Sequence, residues 1–204
     1  MMKSSNSLVY RYRTSPALLR RIVDVALAAS FLMLALPILT LASIAVLIED
    51  GWPIVFSQRR VGRFERSFTI YKLRTMYKNQ CFDRAKPSDR TDPRITRVGR
   101  ILRRLSIDEV PQFLNVIRGD MSIVGPRPEM PHIVKHYLPW QHLRHLVAPG
   151  ITCFWQSEAR GVYPLHSPEA TTLDLLYIEQ AGVVTDARIL ARTVPSVLTA
   201  RGSV

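Results

Sequence analysis

The dominant feature of the hydrophobic pattern is an uncharged apolar block, Val25–Ile48, near the start of the 204-residue chain. A helix over these 24 residues, at about 1.5 Å per residue, would measure roughly 36 Å and exceed the roughly 30 Å hydrocarbon core of a bilayer. Ser15-Pro16 is typical of a helix start. We therefore predict a membrane helix over residues 15–50, preceded by a mobile basic tail over residues 1–14.

Pro37 divides this block and predicts a re-entrant helix, kinked at Pro37, that enters and leaves the membrane on the same face. Each arm, about 12 residues or roughly 18 Å long, is too short to span a bilayer. Basic residues flank both ends, so a single crossing satisfies the positive-inside rule poorly. A single-pass helix and a cleaved signal peptide are the alternatives, although signal peptides usually have apolar regions of about 7–15 residues.

The pattern after residue 50 predicts one small α/β mixed, mostly helical domain over residues 51–204. Short apolar runs predict two strands that pair as a hairpin, and a helical period predicts two C-terminal helices separated by Gly182. The predicted elements are strands at Ile54–Gln58 and Ser67–Arg74, a polar loop at 77–92, and helices at Thr172–Glu179 and Asp186–Val194.

The charge balance predicts anionic partners. The chain has 28 Lys and Arg against 16 Asp and Glu, a formal charge of +12. Nucleic acid, an acidic membrane surface and a phosphorylated substrate all fit this charge. The two cysteines, Cys81 and Cys153, have no paired spacing, which argues against a disulfide framework and a cysteine zinc site and favours a reducing compartment.

Two adjacent carboxylates, Asp108 and Glu109, mark the candidate site. Ser106 is a favourable N-cap and Pro111 fits a first helical turn, so we predict that a helix begins close to the acidic pair. Free N–H groups and the helix dipole at such an end favour ionised carboxylates and phosphate oxygens. A purely structural interpretation is also open, because Ser106 and Glu109 have the spacing of a capping box.

Arginines surround the acidic pair. Five lie within the eleven residues Arg94–Arg104, and Pro126 and Pro128 restrict the backbone on either side of Arg127. Guanidinium groups suit phosphate recognition, although such a run is also typical of a solvated helix face or a membrane-surface patch.

Residues 92–128, DPRITRVGRILRRLSIDEVPQFLNVIRGDMSIVGPRP, resemble the signature of the bacterial sugar transferases, the monotopic polyprenyl-phosphate phosphoglycosyl transferases. Other segments resemble the same family: VFSQRRVGR, FTIYKLRTM, Pro149-Gly150-Ile151-Thr152 with Trp155-Gln156, and the entry motif Arg20-Arg21-x-x-Asp24. The resemblance implies a monotopic, re-entrant protein on the cytoplasmic face of the bacterial inner membrane, in contact with anionic lipids.

The resemblance also implies an activity: transfer of a sugar-1-phosphate from a UDP-sugar to polyprenyl (undecaprenyl) phosphate with release of UMP, which initiates exopolysaccharide, O-antigen or glycoconjugate assembly by downstream glycosyltransferases. Asp108 would attack the β-phosphorus and form a covalent aspartyl-phosphosugar. Glu109 would share a Mg²⁺ with Asp108 or take a proton from the acceptor. The implied substrate-binding residues are Arg103, Arg127, Lys72 and Arg74.

Two other functions are open on composition alone. A membrane-tethered nucleic-acid binder would use the positive charge but leaves the acidic pair and the rigid Arg127 segment unexplained, so we expect no nucleic-acid partner. An inactive family member could act as an assembly scaffold. His132 and His136 have the i, i+4 spacing of a metal-binding pair, but without a third ligand in reach we interpret them as surface histidines.

Overall fold

The computed structural model describes residues 17–78, 91–158 and 167–198, and in these residues the chain is mixed α/β and mostly helical, as predicted. In chain order the elements are α1 (Ala17–Asp50), β1 (Val55–Val61), β2 (Ser67–Leu73), α2 (Arg97–Arg104), α3 (Gln112–Arg118), β3 (Ser122–Val124), α4 (Pro131–Val134), β4 (Gly150–Thr152), α5 (Phe154–Glu158), α6 (Pro168–Gln180) and α7 (Val183–Leu198). Within the described residues, 3₁₀ segments lie at Arg63–Glu65, Ile107–Glu109 and Pro139–Leu146. The predicted tail and most of the predicted loop at 77–92 lie outside the described residues.

Helix α1 is long and apolar, and most of its surface is exposed. It has 34 residues, about 51 Å at 1.5 Å per residue, and contains Pro37. The most apolar 18-residue window of this helix has a mean hydropathy of 2.6, and only 17% of that window is buried within the protein. The helix is therefore long and apolar enough to cross a membrane, and its exposed side chains suit an apolar environment.

The N-terminal end of α1 is fastened to the rest of the protein by polar contacts. The guanidinium of Arg21 donates to the carbonyls of Val116 (2.5 Å) and Ile117 (2.8 Å) at the end of α3. The carboxylate of Asp24 accepts a hydrogen bond from the Ser122 hydroxyl at 2.6 Å. The two bonds from Arg21 end on carbonyls in the last turn of α3, where a helix leaves C=O groups without intrahelical partners.

The C-terminal end of α1 is fastened to the same domain. Glu49 accepts hydrogen bonds from the backbone N–H groups of Arg97 (2.7 Å) and Val98 (2.9 Å), two of the free donors at the start of α2. Asp50 forms an ion pair with Arg74 at 3.0 Å. Both ends of the apolar helix therefore contact one polar domain.

Strands β1 and β2 form the predicted antiparallel hairpin, in register from Val55 opposite Leu73 to Val61 opposite Ser67. Strand β1 extends three residues beyond its predicted end. At the turn, Phe64 (φ 54°) and Glu65 (φ 60°) both adopt the left-handed conformation. This conformation costs roughly 1–2 kcal/mol per non-glycine residue, so the turn must be supported by contacts elsewhere.

Strands β3 and β4 form a short parallel pair that the sequence pattern does not predict. The chain then brings two glycines together: the Gly125 N–H donates to the Thr152 carbonyl (3.0 Å), and the Gly150 N–H donates to the Pro126 carbonyl (2.9 Å). A Cβ on Gly150 would lie 2.1 Å from the Gly125 nitrogen. This close approach fixes the segment that carries Arg127.

The main core lies between β3, the C-terminal helices and one face of α1. Its fully buried members include Val116, Met121, Tyr177, Ile178 and Ile189. The two predicted C-terminal helices are confirmed as α6 and α7. A second cluster joins α1 to the hairpin and α2 through Ala42, Val46, Leu73 and Leu102.

The predicted N-cap at Ser106 is wrong. Ser106 adopts a left-handed conformation (φ 56°), and its side chain makes no capping hydrogen bond. Its N–H instead donates to the Arg103 carbonyl at 3.1 Å, so Ser106 ends α2 in the way that left-handed residues commonly end helices. The next α-helix, α3, begins at Gln112, after the 3₁₀ turn that carries the acidic pair.

Candidate active site

The structure brings three of the predicted site residues together at one oxygen of Glu109. The Lys72 ammonium lies 2.6 Å from Glu109 Oε1, and Arg127 Nη2 lies 2.5 Å from the same atom. Lys72 comes from β2, Glu109 from the 3₁₀ turn before α3, and Arg127 from the segment after β3. The capping-box interpretation of Glu109 is therefore also wrong, because its carboxylate binds two cations.

Asp108 is buried, with 8% of its surface exposed. Among the residues that the structure describes, no hydrogen-bond donor contacts its carboxylate. Burial raises the pKa of Asp108 above its ordinary value, opposed by the nearby charge of Lys72 and reinforced by that of Glu109. Asp108 is thus a weakly solvated carboxylate whose oxygens are available to an incoming group.

Glu109 differs electrostatically from its neighbour. Burial disfavours its charged form, but the charges and hydrogen bonds of Arg127 and Lys72 hold its pKa well below the usual range. It therefore stays ionised and makes a poor proton acceptor. Two adjacent carboxylates in one turn have pKa shifts of opposite sign, a pattern typical of functional sites.

Arg103 lies in the last turn of α2 and faces the same region. Its Nε donates to the Thr75 hydroxyl at 2.8 Å. Burial lowers its pKa, whereas the charge of Asp108 raises it. The predicted phosphate-binding arginine is therefore held beside the acidic pair by a residue that follows β2.

The structure does not bring Arg74 to Glu109. Its guanidinium is buried, donates to the carbonyls of Asp50 (3.0 Å) and Gly51 (2.7 Å), and forms the ion pair with the Asp50 carboxylate. These contacts fasten the end of α1. Strand β2 ends at Leu73, so the alternation that places Lys72 does not extend to Arg74.

Arg127 is held through its backbone by an arginine that sequence reasoning missed. Arg144 donates to the Arg127 carbonyl at 2.9 Å and to the Tyr137 hydroxyl at 2.5 Å. It also forms a fully buried ion pair with Asp174 of α6 at 2.6 Å. Thirty residues separate the two partners of this pair, and no local pattern in the sequence links them.

A second missed layer supports the other side of the Arg127 segment. Arg60 of β1 donates to the Pro128 carbonyl at 3.2 Å and to the Gln58 side chain at 2.7 Å. The Val61 N–H donates to the Glu129 carbonyl at 2.9 Å. The hairpin and Arg144 therefore support the Arg127 segment together.

The arrangement is suited to binding and attacking a phosphorylated group. Three cations, Lys72, Arg103 and Arg127, are held beside a carboxylate with free oxygens, and such groups form strong, charge-assisted hydrogen bonds to phosphate. The donor set also fits Mg²⁺. Asp108 offers both oxygens and Glu109 its second oxygen, and carboxylates with water and substrate phosphates are the usual ligands of this ion.

Comparison with known proteins agrees with the resemblance noted in the sequence. The model of a family described as bacterial sugar transferase matches residues 15–200. The chain is 40% identical over 195 residues to the UDP-glucose:undecaprenyl-phosphate glucose-1-phosphate transferase of Caulobacter vibrioides. This match covers 92% of this chain and 72% of that protein.

Two further relatives are longer proteins. Identity is 35% over 193 residues with the UDP-N-acetylgalactosamine-undecaprenyl-phosphate N-acetylgalactosaminephosphotransferase of Aeromonas hydrophila, over 92% of this chain and 45% of the relative. The chain is also 37% identical over 185 residues to the undecaprenyl-phosphate glucose phosphotransferase of Komagataeibacter xylinus. This match covers 86% of this chain and 35% of the relative. The chain therefore spans less than half the length of these two relatives.

Proposed function

Because the chain belongs to the bacterial sugar transferase family, we propose that it transfers a sugar-1-phosphate from a UDP-sugar to polyprenyl (undecaprenyl) phosphate and releases UMP. The names of the relatives above supply both substrate classes. The observation that carries the proposal is the buried, unbonded carboxylate of Asp108 beside Glu109, which is held by Lys72 and Arg127. The product would initiate exopolysaccharide, O-antigen or glycoconjugate assembly.

In the first step, a carboxylate oxygen of Asp108 attacks the β-phosphorus of the UDP-sugar. The bond from this phosphorus to the bridging oxygen breaks, UMP leaves with that oxygen, and the sugar phosphate stays on Asp108 as an acyl phosphate. A covalent intermediate divides one difficult displacement into two easier ones. The burial of Asp108 supports this role, because a carboxylate with few hydrogen bonds loses little solvation when it attacks.

In the second step, a phosphate oxygen of the polyprenyl phosphate attacks the same phosphorus. The bond to the Asp108 oxygen breaks, a polyprenyl diphosphate sugar forms, and the carboxylate is regenerated. The acceptor is already anionic near neutral pH, so this step needs no strong base. The low pKa of Glu109 supports a different role for that residue: it holds Lys72 and Arg127 where they can stabilise phosphate oxygens.

Asp108, with Glu109, would hold a Mg²⁺ that offsets the charge of the diphosphate when substrate binds. Arg103 and Arg127 would orient the phosphate oxygens, and Lys72 would add a third positive charge. Arg74 is a weaker candidate for substrate binding, because its buried guanidinium already contacts Asp50 and Gly51. We propose a positioning role for Arg74 at the end of α1.

We also propose that α1 enters and leaves the cytoplasmic face of the inner membrane as a re-entrant helix. Two observations support this topology. The helix exposes a long apolar surface, and both of its ends make polar contacts with one domain, through Arg21 and Asp24 at one end and Glu49 and Asp50 at the other. A helix that crossed the bilayer would place these ends on opposite sides.

The test is Asp108→Asn in purified protein held in lipid nanodiscs with Mg²⁺, a panel of UDP-sugars and undecaprenyl phosphate. We expect the variant to release no UMP and to trap no sugar phosphate on the protein, while wild type does both with at least one sugar. The matched control is Asp92→Asn, because Asp92 pairs with Arg94. UMP release by Asp108→Asn would remove Asp108 from the nucleophile role, and wild type inactive with every donor would favour a scaffold.

A further inference from the structure

The turn of the hairpin and the 3₁₀ segment Pro139–Leu146 meet at a group of metal-ligating side chains that lies outside the acidic pair. Glu65, His142 and His145 each offer one ligand atom, and the three atoms lie within 4.8 Å of one another. The sequence interpretation considered the nearby pair His132 and His136 and set it aside because no third ligand was in reach. For His142 and His145 the fold supplies a third ligand, Glu65, which lies 77 residues before His142 in the sequence.

The local geometry places both imidazoles on the same side of the 3₁₀ segment. A 3₁₀ helix has about 3.0 residues per turn, so side chains at i and i+3 lie on the same side. His142 and His145 have this spacing within Pro139–Leu146, and their ring centroids are 6.0 Å apart. Glu65 reaches them from a turn in which both Phe64 and Glu65 are left-handed, a strained conformation of the kind found at binding sites.

One donor atom in the group has no partner. The side chain of His145 is 8% exposed, and its buried Nδ1 has no hydrogen-bond partner within residues 17–78, 91–158 and 167–198. That atom lies 4.0 Å from Glu65 Oε1, whereas His142 Nδ1 lies 2.8 Å from the same oxygen. An unpaired buried polar atom is energetically unfavourable, and coordination of a cation would satisfy it.

We propose that Glu65, His142 and His145 bind one Zn²⁺ ion. Zinc bonds to imidazole nitrogen and carboxylate oxygen of about 2.0–2.2 Å, at tetrahedral angles, place ligand atoms about 3.3 Å apart. The two separations from Glu65 Oε1, 2.8 and 4.0 Å, lie on either side of this value, and all three ligand atoms lie within 4.8 Å of one another, so side-chain rotations would have to bring the atoms to these distances around a bound ion. Glu65 and His142 are partly exposed, which leaves the fourth position to water.

The ligand set separates this site from the proposed magnesium site. Mg²⁺ prefers oxygen ligands alone, whereas two imidazoles with a carboxylate favour zinc and similar metals. Arg144 lies between the two histidines in sequence and holds the carbonyl of Arg127. A zinc ion here would join the hairpin turn to the segment that supports Arg127, and so would stabilise the wall of the active site.

The test uses the full-length protein in nanodiscs, stripped of metal with a chelator and titrated with Zn²⁺ against a fluorescent zinc indicator. We expect one Zn²⁺ per chain with sub-micromolar affinity, retained in 5 mM Mg²⁺, and a higher melting temperature with zinc than without it. His142→Ala and Glu65→Gln change partly exposed residues and should each weaken affinity at least tenfold. Binding is measured without substrate, so its result is independent of the proposed transfer reaction.

The control is the double variant His132→Ala/His136→Ala, which removes two exposed histidines on the neighbouring segment. It should bind zinc as wild type does. The proposal is overturned if wild type binds no zinc below 10 µM, if His142→Ala and Glu65→Gln bind as tightly as wild type, or if the double variant alone loses the ion. Absorption bands of tetrahedral Co²⁺ in wild type, absent in His142→Ala, would support it.

Discussion

Removal of the buried carboxylate of Asp174 should both destabilise the protein and impair the site. Asp174 and Arg144 lie 2.6 Å apart, with side chains 2% and 1% exposed. Burial raises the pKa of Asp174 to about 6, so the carboxyl is ionised at pH 8. Asp174→Leu leaves the guanidinium of Arg144 buried without its counter-ion.

The expected magnitude follows from the cost of an unpaired buried charge. Breaking such a pair by removing one partner costs about 3–5 kcal/mol, whereas replacing both partners by apolar residues is often neutral. For a chain of this size, 1 kcal/mol corresponds to about 2–4 °C in melting temperature, so Asp174→Leu should lower it by about 6–20 °C. Asp174→Leu/Arg144→Met should recover most of this loss.

The assay measures thermal unfolding in nanodiscs at pH 8, together with UMP release well below the melting temperature. Because Arg144 also donates to the Arg127 carbonyl, the double variant should recover stability but not the rate of transfer. Asp92→Asn, in a pair near the surface, is the control and should change little. A single variant that melts within 2 °C of wild type, or a double variant with full activity, would refute the reasoning.

Three further predictions test other parts of the structure. Gly99→Ala would place a Cβ 2.2 Å from the Thr75 carbonyl oxygen, so we expect it to cost about 1–3 kcal/mol in denaturant unfolding. Gly182→Ala, whose Cβ would meet nothing closer than 3.9 Å, is the control, and equal losses would contradict this packing. Glu109→Gln should lower kcat/KM for UMP release about 10- to 100-fold, because its two cationic partners lose a charged acceptor; an unchanged rate would exclude this positioning role. Burial lowers the pKa of His145 to about 4, below its unfolded value near 6.5, so the unfolded state binds more protons between these values. In metal-free protein His145 should therefore contribute a loss of about 1–3 kcal/mol in the free energy of unfolding as pH drops from about 6.5 to 4, and the difference in unfolding free energy between wild type and His145→Gln should change by this amount over that range.

Features that depend on neighbours in sequence could be predicted from the sequence. The apolar run of α1, the short apolar runs of the hairpin and the helical period of the two C-terminal helices are local patterns, and all of these elements appear in the structure. Asp108 and Glu109 are adjacent in the sequence, so this acidic pair could also be identified from the sequence. The short strands β3 and β4 have three residues each and pair across more than 25 residues, so they leave no periodic signal.

Lys72 and Arg74 show where a motif stops being informative. Both belong to one stretch that resembles a family motif, and we expected both near the substrate. In the structure Lys72 pairs with Glu109, whereas Arg74 pairs with Asp50. The two residues differ because β2 ends at Leu73, between them. The prediction of an N-cap at Ser106 was also wrong for a local reason. Ser106 adopts the left-handed conformation that ends α2, and its side chain makes no capping hydrogen bond.

The different environments of Asp108 and Glu109 follow from the turn that carries them. In a 3₁₀ turn, consecutive side chains point about 120° apart, so Asp108 and Glu109 meet different protein neighbours. Glu109 faces β2 and the Arg127 segment and takes both cations on one oxygen, which satisfies its charge despite burial. Asp108 makes no hydrogen bond to those cations and interacts with them only through their charges, so the effect of burial dominates and raises its pKa. One turn thus carries a carboxylate that holds two cations and another that has no hydrogen-bond partner among the described residues, which suits the nucleophile role that we propose for Asp108.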